Sequence, residues 1–495
     1  MTTQDNLLSL HFFLPELIII GTILVVIIAD LILKRQHSNR TAYIAFAGTV
    51  GAFIALLLEQ VAPRALFFQT IAVDPFGTFF KVIFLIAILF VIAISFKTNE
   101  LNNYRFGEYY SLILIMLLGM FLMASSIDLI MIYLSLELVS ITSYILAGYQ
   151  KNRARSNEAA LKYVIYGGVS TGIMLYGFSI LFGLTGTTKI AEIHQVLLAS
   201  NYSPLTLVVA ILFILAGFGY KIASVPFHFW SPDVYEGAPT PITALLSVAP
   251  KAAGFAVLIR FFNVTLVGST TPNMGQWFAL GSLPWPQILA AISAMTMFLG
   301  NLVAIRQDNI KRMLAYSSIA HAGYILMGAV VLNQQGLFAM MYYLFVYLFM
   351  NLGAFLVVII ISNTYGTENI EEYRGLGFKV PYLGVIMTIF MFALTGLPPT
   401  GGFVAKFYLF SALINAGSQF YWLAVVGIIN SVISFYYYAR IVKMMFLQDA
   451  PEGLEVKKGH PWMTTVLTLL VIPTLLLGVY WESIATFAQN SLKFF

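Results

Sequence analysis

The sequence predicts an all-α polytopic membrane protein, with about fourteen transmembrane helices in a single membrane domain over residues 1–495. Three observations lead to this fold class. The chain is 60% hydrophobic and only 9% charged, whereas soluble domains have roughly 25% charged residues. Apolar stretches of about 20 residues, enough to cross a hydrocarbon core of roughly 30 Å, recur along the whole sequence. The connections between them are too short to form a soluble domain.

The predicted spans follow one another in chain order. Spans 1 to 5 lie near residues 11–33, 41–59, 74–96, 107–124 and 128–148. Spans 6 to 10 lie near residues 159–185, 204–228, 239–264, 284–305 and 311–331. Spans 11 to 14 lie near residues 335–362, 382–415, 419–447 and 463–482. The first residues lack the basic region and the small-residue cleavage site of a signal peptide, so we expect the first span to remain as a helix.

Basic residues divide the loops into two classes. If both termini face outward, the inside loops carry Lys34, Arg35, Arg40, Lys97, Arg105, Lys151, Arg153, Arg155, Arg306, Lys311, Arg312, Arg374, Lys379, Arg440, Lys443, Lys457 and Lys458. The outside loops and ends carry only Arg64, Lys189 and Lys493. Because short cytoplasmic loops are enriched in Lys and Arg, this pattern predicts an even number of spans with both termini outside. The same distribution, in short loops, argues that the net charge of +5 does not indicate nucleic-acid binding.

Two spans are interrupted at corresponding places. Span 7 contains GYKIASVPFH at residues 219–228, and span 12 contains LTGLPPTGG at residues 394–402. Proline lacks a backbone N–H and clashes with the preceding turn, so both helices should break. Such interruptions are typical of inverted repeats with a site at their interface. We therefore predict N-terminal helices over 1–106, inverted five-helix repeats over 107–264 (spans 4–8) and 276–447 (spans 9–13), and a C-terminal helix within 448–495.

Four ionisable residues, Glu137, Lys221, Lys251 and Lys406, lie inside predicted spans. A charge at bilayer depth is costly and usually marks a substrate or ion path. A nearby carboxylate favours the charged form of a lysine and burial disfavours it, so movement of the partner can tune proton release. The four residues predict a path for protons or ions. The structural alternative is that each lysine reaches the interface or forms an ion pair, but their recurrence beside two broken helices favours the path.

Three further residues are secondary candidates. His228 stands between Lys221 and Lys251 in chain order and, like His321, can exchange protons near neutral pH. For both histidines, simple hydrogen bonding to backbone carbonyls is the structural alternative. Lys162 lies nearer an inside loop and fits either role.

Two other basic residues within spans are weaker candidates. Lys81 and Arg260 each lie within about two turns of a predicted helix end, so their side chains are expected to reach the membrane interface. Asp30 and Asp74 lie at span ends and are expected to be boundary or capping groups.

The composition also limits the chemistry of the chain. It contains no cysteine, and therefore no thiolate ligands for an iron–sulfur cluster. Its six histidines show no metal-ligand spacing. We predict no metal-binding or cofactor-binding residues, so any redox chemistry takes place in other chains.

The motifs resemble those of a known family. The run GFGYKIASVPFHFWSPDVYEGAPTPITALLSVAPKAAGFAVLIR at 217–260 resembles the antiporter-like membrane subunits of respiratory complex I, and so does LTGLPPTGGF at 394–403 with Lys406. The resemblance covers essentially the whole chain, including SLELVSITSYILAGY at 135–149 and RMLAYSSIAHAGYILMG at 312–328. The chain most resembles the subunit N branch, which includes mitochondrial subunit 2 and the plastid and cyanobacterial B subunit. Lys406, the sequence Leu14-Pro15-Glu16 and the end of the chain soon after span 14 support this branch.

The resemblance implies a proton-translocating subunit of an oxidoreductase that passes electrons from NADH, NADPH or ferredoxin to quinone. Glu137 and Lys221 would form a modulating ion pair, Lys251 would be the central proton carrier and Lys406 the terminal one. Flavin, iron–sulfur clusters and quinone are expected in partner subunits, both membrane and peripheral. The expected location is a bacterial inner membrane or a thylakoid membrane, in contact with lipid, with both termini on the outer or periplasmic side.

Two other function classes remain open at this point. One is a subunit of an Mrp-type cation/proton antiporter or the membrane subunit of a hydrogenase complex, which share the same module. The other is a passive scaffold that conducts nothing, although it would keep costly membrane charges without a use for them.

Overall fold

The computed structural model describes residues 6, 9–32, 38–59, 62–101, 104–199, 202–270, 277–279, 285–331, 333–451 and 459–494. The N-terminal part comprises α1 (Leu14–Ile32), α2 (Ser38–Leu58), β1 (Arg64–Leu66), β2 (Ile71–Val73) and α3 (Pro75–Ser95). Next come α4 (Phe106–Ser125), α5 (Leu129–Ala147), α6 (Ala154–Thr185), α7 (Ile190–Ala199), α8 (Pro204–Ile222), α9 (Trp230–Gly237) and α10 (Thr240–Thr265).

The second half has the same kind of organisation. After β3 (Val267–Thr270) and β4 (Trp277–Ala279) come α11 (Trp285–Ala304), α12 (Ile310–Val330), α13 (Gln334–Tyr365) and the single turn α14 (Leu376–Lys379). They are followed by α15 (Pro381–Thr395), α16 (Gly401–Asn415), α17 (Tyr421–Phe446), α18 (Pro461–Val479) and α19 (Glu482–Asn490). Short 3₁₀ turns lie at Asn99–Leu101, Ile370–Tyr373 and Ser418–Phe420.

The helix count agrees with the predicted fold class. Thirteen helices of the described part of the chain are long and apolar enough to cross a membrane. The twelfth predicted span is divided between the shorter helices α15 and α16, which complete the fourteen. The all-α polytopic fold is therefore confirmed, while the division of the chain at residues 106, 264, 276 and 447 remains a prediction.

Both predicted helix breaks are present, and each begins at a residue in the left-handed conformation. At the end of α8, Ala223 has φ 57°, and its N–H and that of Ser224 donate to carbonyls of the last turn. At the end of α15, Gly396 has φ 87° and donates in the same way. The predicted span 204–228 was too long at its end, because the helix stops at Ile222 and resumes as the two-turn α9.

Two helices form the centre of the bundle. The most apolar stretches of α10 and α13 are buried on all sides, whereas α1, α2, α6, α17 and α18 each keep a broad exposed apolar face. A helix that is apolar all round is normally surrounded by other helices. The centre nevertheless includes Lys251 and Arg260 of α10, both with almost no exposed surface.

Polar contacts at one end of the bundle join loops that the sequence predicts on the same side of the membrane. Arg312 forms ion pairs with Asp233 and Glu236, and Arg155 also reaches Glu236. Gln150 donates to the carbonyl of Glu100, which follows α3. These contacts place four predicted inside segments together. Of the predicted inside basic residues, Lys34, Arg35, Lys457 and Lys458 lie outside the described residues.

Small elements between the spans were not predicted. The two antiparallel hairpins, β1–β2 and β3–β4, have strands of only three or four residues. The ten-residue helix α7 lies between α6 and α8 and buries Ile190, Ile193 and Leu197. Such short segments carry too few residues to show a periodicity against strongly apolar neighbours.

The predicted interfacial positions of Lys81 and Arg260 are wrong. Lys81 is bonded to Glu16 of α1 at 2.6 Å, and the two side chains are only 4% and 2% exposed. Arg260 makes two hydrogen bonds to Asp74, at 2.6 and 2.8 Å, with both side chains fully buried. Distance along the chain gave the depth of these residues but not the direction of their side chains, which point into the bundle.

Asp74 combines the predicted capping role with the ion pair. Its carboxylate accepts from the N–H of Gly77 at 2.8 Å and so caps α3, while Arg260 also donates to the carbonyl of Ala124. One ion pair thus joins α3, α10 and the end of α4.

We expect Asp74→Ala to destabilise the protein by about 3–5 kcal/mol, because it leaves a buried guanidinium without its partner. Thermal unfolding of the purified protein in its assembly measures this. The matched control is Asp308→Ala, which removes the exposed partner of Arg440 and should cost less than about 1 kcal/mol. Equal losses of thermal stability in the two variants would contradict the prediction.

Candidate functional site

The candidate site is a file of polar side chains that crosses the middle of the bundle through α5, α8, α10, α12 and α16. Lys221, Lys251 and Lys406 are each almost fully buried and point into the protein. None of the ion pairs found among the described residues involves these three lysines. Each ammonium is instead held by hydroxyl or carbonyl oxygens.

Lys221 contacts α5 through Ser140 rather than through Glu137. Its Nζ donates to Ser140 Oγ at 3.1 Å, and Ser140 is fully buried. The direct Glu137–Lys221 ion pair implied by the resemblance is not formed in this structure. Glu137 is half-buried, on the same stripe of α5 as the exposed Leu134 and Ile141.

The break after α8 holds Lys221 in place. Lys221 is the penultimate residue of α8, where the partial negative charge of the helix end favours a cation. The carbonyl of Tyr220, freed by the break, accepts from Trp230 Nε1 at 3.0 Å. The ring of Trp230 stacks on Tyr163 with centroids 4.3 Å apart. Trp230 thus donates to the carbonyl at the end of α8, and Lys221 is left free to contact α5.

Lys251 joins α10 to α12. Its Nζ donates to the carbonyl of Ser318 at 2.9 Å and also to the Ser318 hydroxyl. Pro250 lies inside α10 and cannot donate to the carbonyl of Leu246 one turn earlier, which instead accepts from Tyr235 Oη at 3.4 Å. The carbonyl freed by the proline is therefore satisfied by a tyrosine hydroxyl, while the Lys251 ammonium donates to Ser318.

One face of α12 continues the file towards Lys406. Ser318, His321 and Tyr324 follow at intervals of three residues, which places them on the same side of the helix. His321 Nδ1 is 2.6 Å from Tyr343 Oη, and Nε2 is 3.2 Å from Tyr438 Oη. Both ring nitrogens of a buried histidine are therefore bonded to hydroxyl groups.

Lys406 closes the file at the second break. Its Nζ donates to the carbonyl of Thr395, the last residue of α15, at 2.7 Å and to Ser431 Oγ at 3.0 Å. It also lies over the ring of Tyr324, 4.4 Å from the centroid. A cavity of about 460 Å³ adjoins Lys406 and is lined by exposed apolar residues such as Phe403, Phe407 and Val432.

The structure places His228 and Lys162 differently. His228 lies in the turn between α8 and α9, buried, with Nδ1 lacking a hydrogen-bond partner among the described residues. Lys162 is about one-third exposed and bonded to Glu158 and Asp233 at 2.7 and 2.6 Å. Neither contacts Lys221 or Lys251 through the hydrogen bonds and ion pairs found in the described part of the chain.

A polar vestibule lies at the predicted inside end of the bundle. This cavity of about 550 Å³ is lined by charged and amide side chains that include Glu100, Arg155, Glu236, Lys311 and Glu368. Glu100 accepts from the backbone N–H and the hydroxyl of Thr240, at 2.7 Å each, and so caps α10. The vestibule therefore lies next to the first residue of α10, the helix that contains Lys251.

Neutral polar residues lie on α10 between its first turn, next to the vestibule, and Lys251. Thr243 and Ser247 precede Lys251 by two turns and one turn of α10, and both are fully buried. Asn351 of α13 donates to Ser247 Oγ at 2.6 Å, and its Oδ1 is buried without a hydrogen-bond partner in the described residues. Several neutral residues of the site were not predicted from the sequence: Ser140, Ser247, Ser318, Tyr324, Asn351, Ser431 and Tyr438. Two patterns in the sequence could have indicated them: the three-residue spacing of polar residues around His321 and the four-residue spacing before Lys251.

Comparisons with known proteins agree on one family. Residues 126–434 match the family described as NADH:quinone oxidoreductase/Mrp antiporter, transmembrane. "NADH-quinone oxidoreductase subunit N 2" of Chloroherpeton thalassium is 48% identical over 97% of this chain and 94% of that protein. Subunit N of an Anaeromyxobacter species is 44% identical over 99% of this chain and 98% of that protein.

A solved structure extends the likeness to three dimensions. A chain of respiratory complex I from Thermus thermophilus superposes with a TM-score of 0.78 at 30% identity, covering 95% of this chain and 98% of that one. Sequence and fold therefore agree over nearly the full length of both chains. On these grounds the chain belongs to the subunit N family of NADH-quinone oxidoreductases.

Proposed function

We propose that this chain is a proton-translocating membrane subunit of an NADH–quinone oxidoreductase, coupled to redox chemistry in other subunits. The observation that carries the proposal is the polar face of α12 between two buried lysines: Lys251 donates to Ser318, His321 contacts Tyr438, and Lys406 lies over Tyr324. The flavin, iron–sulfur clusters and quinone belong to partner subunits in this proposal, in keeping with a sequence without cysteine.

The geometry suits proton exchange at the three lysines. A lysine held only by neutral oxygens gives up its proton without leaving an unpaired carboxylate, so the cost of burial itself favours release. Arrival of a proton from either side restores the ammonium and its hydrogen bonds. The file can therefore hold one proton at a time at each lysine and pass it on.

His321 supplies the step between Lys251 and Lys406. An imidazole that accepts a proton at one nitrogen can release one from the other. Both nitrogens already contact tyrosine hydroxyls, so each has a neighbour that can carry a proton to it or away from it. We assign His321 as the central relay, with Tyr438 and Tyr324 completing the path.

The vestibule supplies protons in this proposal. Ser247 and Asn351 lie between it and Lys251, and the unpartnered Oδ1 of Asn351 is an acceptor for a bridging water. Lys406 is the exit group. We propose further that both termini face the outer side and that the vestibule opens to the inner side of a bacterial or thylakoid membrane.

Glu137 acts on Lys221 from the side in this proposal. The carboxylate lies on the outward face of α5, and Ser140 separates it from the lysine. A neighbouring subunit against that face can change the charge felt by Lys221. We assign Lys162 to an ion-pair group with Glu158 and Asp233 that orients α6 and α9, and His228 to a secondary position beside the break.

Co-purifying subunits test the assignment against the Mrp-type antiporter and the hydrogenase membrane subunit, whereas the passive scaffold predicts normal assembly and normal proton translocation after Lys406→Ala. Isolation with subunits that reduce quinone with NADH supports the proposal, and ferredoxin or NADPH oxidation would identify a variant donor. Sodium-dependent antiport without redox partners would overturn it.

We expect Lys251→Ala to lower proton translocation per electron at least about tenfold in the assembled enzyme, since a positioned proton donor accelerates transfer by roughly 100-fold or more. Acidification by reconstituted vesicles during quinone reduction measures this. Lys443→Ala, which removes an exposed lysine at the inside end, is the matched control. Unchanged proton-to-electron stoichiometry in Lys251→Ala would rule out the central role.

We expect Tyr438→Phe to slow proton translocation by about fivefold, because one hydrogen bond of about 1 kcal/mol to His321 is lost. Tyr436→Phe provides a matched control on the same helix, since Tyr436 is exposed. The same vesicle assay compares the two, with assembly checked by native gel electrophoresis. Equal rates in the two variants would place the proton path elsewhere.

A further inference from the structure

A third cavity lies at the opposite end of the bundle from the vestibule, where α1 begins and α2 ends. It has a volume of about 600 Å³, and its wall includes His11, Phe12, Ile54, Leu58, Glu59 and Arg64. None of these residues belongs to the file of polar side chains. The cavity therefore requires an explanation of its own.

The guanidinium of Arg64 lines this cavity and keeps free N–H groups. Its guanidinium lies over the ring of Phe12, 3.6 Å from the centroid, and Nε donates to the carbonyl of Ala62 at 3.2 Å. The hydrogen bonds of the described residues leave both Nη groups without a protein acceptor. A guanidinium edge with two free N–H groups matches two oxygens of a phosphate.

Glu59 presents the opposite charge. Its Oε1 is buried and has no hydrogen-bond partner in the described part of the chain. Burial raises the pKa of Glu59, and the nearby Lys81 and Arg64 oppose this without reversing it. Lys81 is already bonded to Glu16, and no described residue donates to Glu59 Oε1, so this oxygen is available to a ligand donor.

The hairpin β1–β2 fixes Arg64 in this position. Phe67, Phe68 and Gln69, at its tip, have φ values of 47°, 58° and 65°, which are rare for residues other than glycine. The N–H of Phe67 donates to Ser9 Oγ, and its ring contacts Phe13 edge-on at 5.2 Å. Strained backbone of this kind persists where surrounding contacts hold it, often at ligand sites.

The apolar part of the wall faces the lipid phase. Ile54 and Leu58 are 52% and 78% exposed on α2, a membrane-spanning helix. The cavity thus combines a cationic group, an anionic group and a lipid-facing apolar wall within a few residues of a span end. A zwitterionic phospholipid carries the three complementary parts: an anionic phosphate, a cationic head and apolar chains.

We propose that this cavity binds a phospholipid with a primary ammonium headgroup, of the phosphatidylethanolamine type. Its phosphate contacts Arg64, its ammonium donates to Glu59 and its acyl chains lie along Ile54 and Leu58. A choline headgroup cannot donate a hydrogen bond to Glu59 Oε1, and a glycerol headgroup brings no positive charge. The site therefore discriminates between headgroups of similar size.

Native mass spectrometry of the assembled enzyme tests this, after exchange into equal mixtures of ethanolamine and choline phospholipids with identical acyl chains. We expect about tenfold preferential retention of one ethanolamine lipid, the value of a charge-assisted hydrogen bond. Glu59→Gln should abolish the preference, and Arg64→Gln should weaken retention of both lipids. Lys189→Gln, at another loop of the same end, is the control and should change neither.

Photo-cross-linking locates the lipid in the unmodified enzyme and does not depend on the assembly of variants. Ethanolamine lipids with a photoactivatable acyl chain should label peptides containing residues 51–66 more strongly than choline lipids do. Labelling of those peptides without headgroup preference, labelling confined to other peptides, or a preference that survives Glu59→Gln would each overturn the proposal.

Discussion

The interior of this protein depends on one constraint, which is the cost of keeping a charge away from water. The chain meets it in two different ways. Arg260 and Asp74 neutralise each other through two hydrogen bonds. Lys221, Lys251 and Lys406 are bonded only to hydroxyl and carbonyl oxygens among the described residues. A guanidinium locked to a carboxylate keeps its proton, whereas an ammonium among neutral acceptors can lose its proton without exposing an opposite charge.

Each helix break frees a backbone carbonyl, and a different kind of side chain donates to it at each break. After α8, the freed carbonyl of Tyr220 is satisfied by Trp230, and Lys221 extends to another helix. After α15, the freed carbonyl of Thr395 is satisfied by Lys406 itself. Deprotonation of Lys406 therefore weakens a contact that stabilises the break, whereas deprotonation of Lys221 leaves the break intact. Proton exchange and local backbone structure are coupled more directly in the second half of the chain.

Sequence reasoning predicted the fold because the membrane makes hydrophobicity and depth closely related. The spans followed from apolar length, the breaks from Pro226 and Pro398, and the candidate lysines from the cost of charge. The sequence did not show in the same way which direction each side chain takes around its helix axis. Lys81 and Arg260 were therefore misplaced, and the hydrogen bond from Lys221 to Ser140 was not predicted. The neutral partners Ser318, Asn351 and Tyr438 were missed because serine, asparagine and tyrosine also occur in helices for local backbone or packing reasons.

Both ends of the polar file lie near the protein surface. This position favours a role in contact with neighbouring subunits. Glu137 lies on the outward face of α5, and the cavity beside Lys406 is lined by exposed Phe403 and Phe407. Lys251 and His321 lie between them, enclosed by α10, α12 and α13. In the proposed mechanism, a charge brought near either end from an adjacent subunit acts on the file, whose middle is buried among the described residues. The proposal therefore separates control at the lateral surfaces from proton transfer in the interior.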